Sequence, residues 1–194
     1  DSVAITDHGV MHGVIEFYVS ARNEGIKPII GCEVYVSPLG RRGRNPADKN
    51  SHLTLLAKDE VGYRNLIQLC TKAQLEGFYY KPRVDKELLI QHHQGLIALS
   101  GCLSGEVGRL ILEGRLNEAR EAALWYRDVF GDYYLEIMRH PIPELEQINP
   151  GLISLGSELG IPLVATNDVH YINREDASAR ELLLCIQTNS SIHD

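Results

Sequence analysis

Short apolar runs alternate along this chain with segments of helical periodicity, and nearly every run ends in a side chain that can bind a metal. Such alternation builds an α/β protein with mostly parallel strands. Val3-Ala4-Ile5-Thr6 runs into Asp7-His8, and Pro28-Ile29-Ile30-Gly31-Cys32 into Glu33. Leu96-Ile97-Ala98-Leu99 precedes Cys102, and Tyr134-Leu135-Glu136-Ile137 precedes His140. Pro162-Leu163-Val164-Ala165-Thr166 leads into Asp168-Val169-His170. Residues at the carboxyl ends of parallel strands face one crevice, so these endings predict a shared multinuclear metal site.

Between the runs, apolar spacing predicts helices after His8-Gly9, over 59–76, from Leu116 to Phe130, and from Ile148 to Leu159. Pro150 is expected to kink the start of that helix or to sit in its first turn. A last helix carries Ala177, Leu182, Leu183 and Ile186, with Asn173 as its cap and Asp176 in its first turn. Residues 38–51 read as a solvated loop, and Arg41, Arg42 and Arg44 as its exposed cations, with phosphate contact the weaker option. The 194 residues suit one domain, 1–194, with no internal boundary. The chain opens at Asp1 without a methionine and enters a strand at once, so it reads as a piece of something longer whose first element is missing.

A formal charge of −7 argues against a free-standing basic nucleic-acid binder, although bound cations would reverse the local field. Four scattered cysteines form neither a disulfide framework nor a zinc ribbon and fit a reducing, cytoplasmic compartment. No run is long and apolar enough for a membrane span, and no signal peptide is visible.

Imidazole and carboxylate together suit zinc, manganese or iron, and a thiolate tilts one position towards zinc. Asp168 and His170 lie two apart and could serve neighbouring ions. Glu33 is the natural bridge between metals, and His8 could complete a further ion. Asp7 reads as a residue that orients His8 from behind. His52 opens the run Leu53-Thr54-Leu55-Leu56-Ala57, so its strand must run antiparallel, or be an insertion, to reach the same crevice. Each assignment has a plainer rival. His52 and His140, taken singly, read as hydrogen-bonded structural residues, and Cys102 as a buried small hydrophobe. His12, His92, His93 and His193 read as surface or helical residues, and Tyr79 and Tyr80 as packed on the core.

Thr6-Asp7-His8-Gly9, Ile29-Ile30-Gly31-Cys32-Glu33-Val34-Tyr35, Ser51-His52-Leu53-Thr54-Leu55-Leu56-Ala57, Ser100-Gly101-Cys102-Leu103 and Ala165-Thr166-Asn167-Asp168-Val169-His170-Tyr171 resemble successive motifs of the polymerase and histidinol phosphatase (PHP) domain. Gly77-Phe78-Tyr79-Tyr80-Lys81-Pro82-Arg83 resembles the version fused to the alpha subunit of bacterial DNA polymerase III. The resemblance implies a distorted seven-stranded β/α (TIM-like) barrel, here without its first strand and that strand's His-x-His. It implies a trinuclear centre of divalent transition metals (zinc, manganese or iron) on His8, Glu33, His52, Cys102, Asp168 and His170, with His140 a further ligand. It also implies metal-assisted phosphodiester hydrolysis, with Glu33 and Asp168 as catalytic residues, acting as a 3′→5′ proofreading exonuclease on the 3′ end of single-stranded DNA. Implied partners are downstream polymerase domains of the same chain and other replisome subunits, including a separate proofreading subunit and the sliding clamp. The alternatives are a non-catalytic module that stabilises the polymerase or docks a proofreading subunit, and a stand-alone phosphatase for a small phosphate monoester.

Overall fold

The computed structural model describes residues 1–192, so His193 lies outside the described residues. The strands are β1 (Ser2–Ile5), β2 (Lys27–Val36), β3 (Ser51–Ala57), β4 (Arg83–Val84), β5 (Leu96–Leu99), β6 (Tyr133–Met138) and β7 (Leu163–Thr166). The helices are α1 (Val14–Asn23), α2 (Glu60–Leu75), α3 (Lys86–Gln91), α4 (Glu106–Leu112), α5 (Leu116–Phe130), α6 (Pro143–Leu159) and α7 (Ala177–Thr188). A 3₁₀ turn at Arg174–Asp176 leads into α7, with Asn173 and Asp176 forming a reciprocal capping box.

The strands form one mixed seven-stranded sheet in the order β1-β2-β3-β5-β6-β7, with β4 beside the far end of β2. Pairs β1–β2, β2–β4, β5–β6 and β6–β7 are parallel. β3 runs antiparallel to both its neighbours, β2 and β5, which turns its first residues towards the carboxyl ends of the others. His52 therefore reaches the common crevice by the reversal its position requires. The sheet curls strongly: His8, just past β1, and His170, just past β7, belong to opposite ends of the strand order, yet their rings lie 5.6 Å apart. The architecture is thus a curled half-barrel of the distorted β/α type.

One strand is longer than its apolar run implied. β2 does not stop before Glu33 but continues through Val34-Tyr35-Val36, so Glu33 is an interior strand residue paired with Thr54. Side-chain alternation then separates two faces. Cys32, Val34 and Val36 join Leu53 and Leu55 in the core, whereas Glu33 and Tyr35 turn to the other face. The core is closed from outside by Leu66, Leu69 and Ala73 of α2, Leu88 and Leu89 of α3, and Ala119, Ala123 and Tyr126 of α5. Asp59 and Asp85 cap α2 and α3 by accepting hydrogen bonds from Gly62 N–H and Leu88 N–H.

Three expectations from the sequence are corrected here. Helix α6 begins at Pro143, so Pro150 lies well inside it, on the exposed side of the helix. Arg41 is not a solvated cation. It is 7% exposed and ion-paired with Glu76, Asp85 and Glu87. Fully buried Arg83 ties the same loop to the end of α2 by donating to the carbonyls of Arg41 and Gly43 and to that of Gly77. Tyr80 is not packed on the core but is 77% exposed. Among the described residues, no helix is long and apolar enough to cross a membrane.

Candidate metal centre

His8, Glu33 and His52 converge on the concave face of the curled sheet, offering ligand atoms that all lie within 4.8 Å of one another. His8 follows β1 and bridges to Glu33 as a parallel partner. His52 faces Tyr35 across the β2–β3 ladder, one alternate position beyond Glu33, which places both side chains on one surface. The His8 and His52 rings are 5.5 Å apart, and Tyr35 packs edge-on against His52 at 5.1 Å. Cys102 comes from the turn after β5, its Sγ 3.8 Å from His52 Nδ1. Asp168 and His170 follow β7 and close the crevice against His8.

Two glycines permit this approach. Gly9 adopts φ +68°, and a Cβ there would stand 2.6 Å from Pro82 Cγ and 3.2 Å from the Tyr35 ring. Gly101 adopts φ +84°, and a Cβ there would stand 2.6 Å from the His52 carbonyl oxygen. Thus Gly9 lets the 78–82 segment close over Tyr35, and Gly101 lets the Cys102 turn meet β3.

Two predicted participants are placed differently. Asp7 has an exposed side chain; its carbonyl accepts from Cys32 Sγ–H and Glu33 N–H, and the carboxylate beside the His8 ring is Glu33, not Asp7. His140 sits beyond the end of β6, its carbonyl accepting from Ile142 N–H, and among the described residues no hydrogen bond, ion pair or ring contact ties its side chain to the cluster. His12 is exposed, while His92 and His93 are half-buried at the end of α3, hydrogen-bonded to Asn65 and the Ile90 carbonyl.

The donor set fits a cation. His8 Nε2 lies 3.3 Å from Glu33 Oε1 and His52 Nδ1 crowds the same oxygen, yet this buried oxygen accepts no well-directed hydrogen bond. Two imidazole nitrogens and a carboxylate oxygen gathered at one point form a donor set that a transition-metal ion accepts. Burial alone would raise the Glu33 carboxyl, but His52 and His8 outweigh it and hold it down to about 2. The Glu33 carboxylate correspondingly raises His8 above the usual imidazole range, against the effect of burial. Burial pushes the Cys102 thiol up to about 11, and the negative charges of Glu33, Asp168 and Glu136 add to the rise. That thiol would ligate only by releasing its proton to a cation's field.

Glu136 is the residue that strand-end reasoning missed. It lies inside β6, 6% exposed, accepting from Gly101 N–H at 2.9 Å and from Thr166 Oγ–H at 2.7 Å. Those bonds tie the turn before Cys102 to the strand before Asp168. A lone carboxylate within an otherwise apolar run was the available signal. Burial, with Glu33 and Asp168 adding, raises its carboxyl above 4.5. A raised carboxyl contributes its stability below pH 4.5 and loses it as pH rises through the folded value. In chelated protein, Glu136→Gln is therefore expected to raise the thermal midpoint increasingly as pH climbs above 4.5. The amide can still accept from Gly101 and donate to Thr166. Glu136→Ala removes both tethers and is expected to weaken metal binding about 10- to 100-fold, read by competition with a chelating dye.

The PHP domain profile matches residues 1–140. The chain is also 50% identical to DNA polymerase III subunit alpha of Deinococcus radiodurans over 200 aligned positions, covering 100% of this chain and 15% of that protein. It is 50% identical to the same subunit of Treponema pallidum, covering 100% of this chain and 17% of that protein. With the subunit of Thermus aquaticus the identity is 46%, over 100% of this chain and 16% of the relative. The chain thus spans about a sixth of the length of these relatives.

Proposed function

Because this chain belongs to the PHP domain family, we propose that it is the PHP domain of a cytoplasmic DNA polymerase III alpha subunit and that its metal centre removes nucleotides from the 3′ end of single-stranded DNA. Polymerisation would belong to other parts of the longer polypeptide, with which this domain and the remaining replisome subunits would associate. The observation that carries the reading is the convergence of His8 and His52 on the ionised, buried Glu33.

Divalent transition metals bound there, zinc, manganese or iron, would supply charge neutralisation at a phosphate and an activated water. The protein's part is to hold the donors. Glu33 remains ionised over the physiological range and lies between two imidazoles, the position from which a carboxylate can bridge. His8 must give up the proton that Glu33 favours before it can ligate, so metal affinity rises with pH. Asp168 and His170 would add ligands from β7, and Cys102 one from the turn after β5. Glu136 would keep those turns in place without touching the phosphate.

The test uses the full native polypeptide that carries this chain. Elemental analysis is expected to find more than one equivalent of transition metal. A 5′-labelled single strand should shorten stepwise from its 3′ end, stop with chelation, and resume when metal is restored. Metal without hydrolysis would favour a structural module; absence of both would remove the metal-centre reading.

A further inference from the structure

Beside the metal centre, the segment 78–82 carries aromatic and basic side chains that no part of the site described above uses. Phe78 is 53% and Tyr80 77% exposed. Tyr80 occupies the tip of a tight turn closed by Tyr79 N–H donating to the Lys81 carbonyl at 3.1 Å. It holds φ +59°, a conformation that costs a bulky side chain energy and persists only when its surroundings impose it. Those surroundings are visible. Tyr79 packs against Tyr80 with ring centroids 4.6 Å apart, and Arg83 and Arg44 flank the Tyr79 ring at 5.2 and 5.9 Å.

The tip is joined to the crevice through its next residues. Lys81 Nζ lies 5.6 Å from the centre of the Tyr35 ring, and Tyr35 in turn contacts His8 and His52. Pro82 abuts Gly9, the residue after His8. Lys81 and Pro82 therefore stand at one wall of the crevice, and the exposed phenyl and phenol rings of Phe78 and Tyr80 belong to the same short segment just before them. Arg44 is exposed nearby beside the Tyr79 ring, and exposed Arg42 is ion-paired with Glu76.

We infer that the 78–81 tip is a reception platform for single-stranded DNA, on which bases stack against Phe78 and Tyr80 while Lys81 meets the backbone phosphate entering the metal centre. Interleaved aromatics and bases are what sequence-tolerant single-strand binding requires, because every base offers a π-face and every linkage a charge. Lys81 beside Tyr35 and exposed Arg44 beside Tyr79 bring the positive charge that a phosphate backbone needs to this aromatic segment. The inference rests on the exonuclease reading for its substrate, but not for its geometry.

The experiment uses the full native polypeptide and two probes. The first is an oligothymidylate with phosphorothioate linkages at its 3′ end and 4-thiothymidine near that end. Irradiation is expected to cross-link it within residues 78–81, as mapped by peptide mass spectrometry. The second compares the oligonucleotide with methyl p-nitrophenyl phosphate, a diester without bases. Tyr80→Ala is expected to lower the ratio of kcat/KM on the strand to that on the small diester about 5- to 150-fold, and Phe78→Ala similarly. Tyr80→Trp should keep the ratio, since stacking is retained, and the small-diester rate reports that each variant is folded. Cross-linking elsewhere with an unchanged ratio overturns the platform while leaving hydrolysis intact. Cross-linking at the tip without degradation of ordinary DNA sustains the platform and removes the exonuclease. Strong protection of 78–81 from hydrogen exchange before DNA is added would mean that other protein covers the tip, and also overturns it.

Discussion

Replacing Glu33 by glutamine is expected to lower metal-dependent hydrolysis by on the order of 10³-fold or more and to strip metal from the protein. Glu33 is 6% exposed in the interior of β2, held by ladder bonds to β3 and by the bridge to His8. An isosteric amide disturbs neither, so the sheet should form as before. What is lost is the one charge towards which both imidazoles turn. The acid limb of stability offers a second readout in chelated protein. A carboxyl held at about 2 contributes stability that is present above pH 4.5 and lost as pH falls through about 2. His8, raised above 6.5, contributes below that value and loses its contribution as pH rises through the raised one. Glu33→Gln removes the first contribution and the Glu33 share of the second, leaving only the smaller effect of Asp168 on His8 and a flatter stability from pH 2 upward. Elemental analysis, a hydrolysis assay and denaturation across pH measure the three effects. A variant that kept its metal and its rate would place the centre elsewhere.

Much of this site was legible because strand ends are chemically conspicuous. A polar ligand directly after an apolar run, as at His8 or Asp168-Val169-His170, is hard to explain by packing. His52 was legible in a stricter way, since a ligand at the start of a strand demanded an antiparallel β3, and β3 is antiparallel. The PHP family resemblance pointed the same way, and the family match bears it out. Other parts were not readable from one sequence. Arg41 looked solvated because its partners Glu76, Asp85 and Glu87 lie far along the chain. Glu33 looked like a strand end because the alternation that continues through Tyr35 has few residues to declare itself. Helices α3 and α4 are too short for a period to show. Helix α7 has the expected apolar stripe, yet Leu182, Leu183 and Ile186 are exposed. Periodicity states which side is apolar, not what meets it.

Asp168→Asn is expected to reduce hydrolysis by a comparable factor, on the order of 10³-fold, while leaving the fold unchanged. Asparagine is chosen for the backbone. Asp168 holds φ +47°, a left-handed conformation that asparagine adopts about as readily as aspartate. Alanine there would add about 1 kcal/mol of strain and confuse loss of charge with loss of shape. The local geometry should also survive, because the 2.7 Å contact from His170 Nδ1 is to the Asp168 carbonyl, not to its carboxylate. The side-chain carboxylate is 3.8 Å from the same nitrogen and only part-buried, so folding does not depend on it. Its negative charge already favours a protonated His8 and opposes ionisation of Cys102, so it acts across the crevice. Losing it should lower bound metal as measured by elemental analysis, with circular dichroism and thermal midpoint unchanged. If hydrolysis and metal content both matched the parent, Asp168 would lie outside the centre, and equal rates in Glu33→Gln as well would trace the activity to a contaminating nuclease.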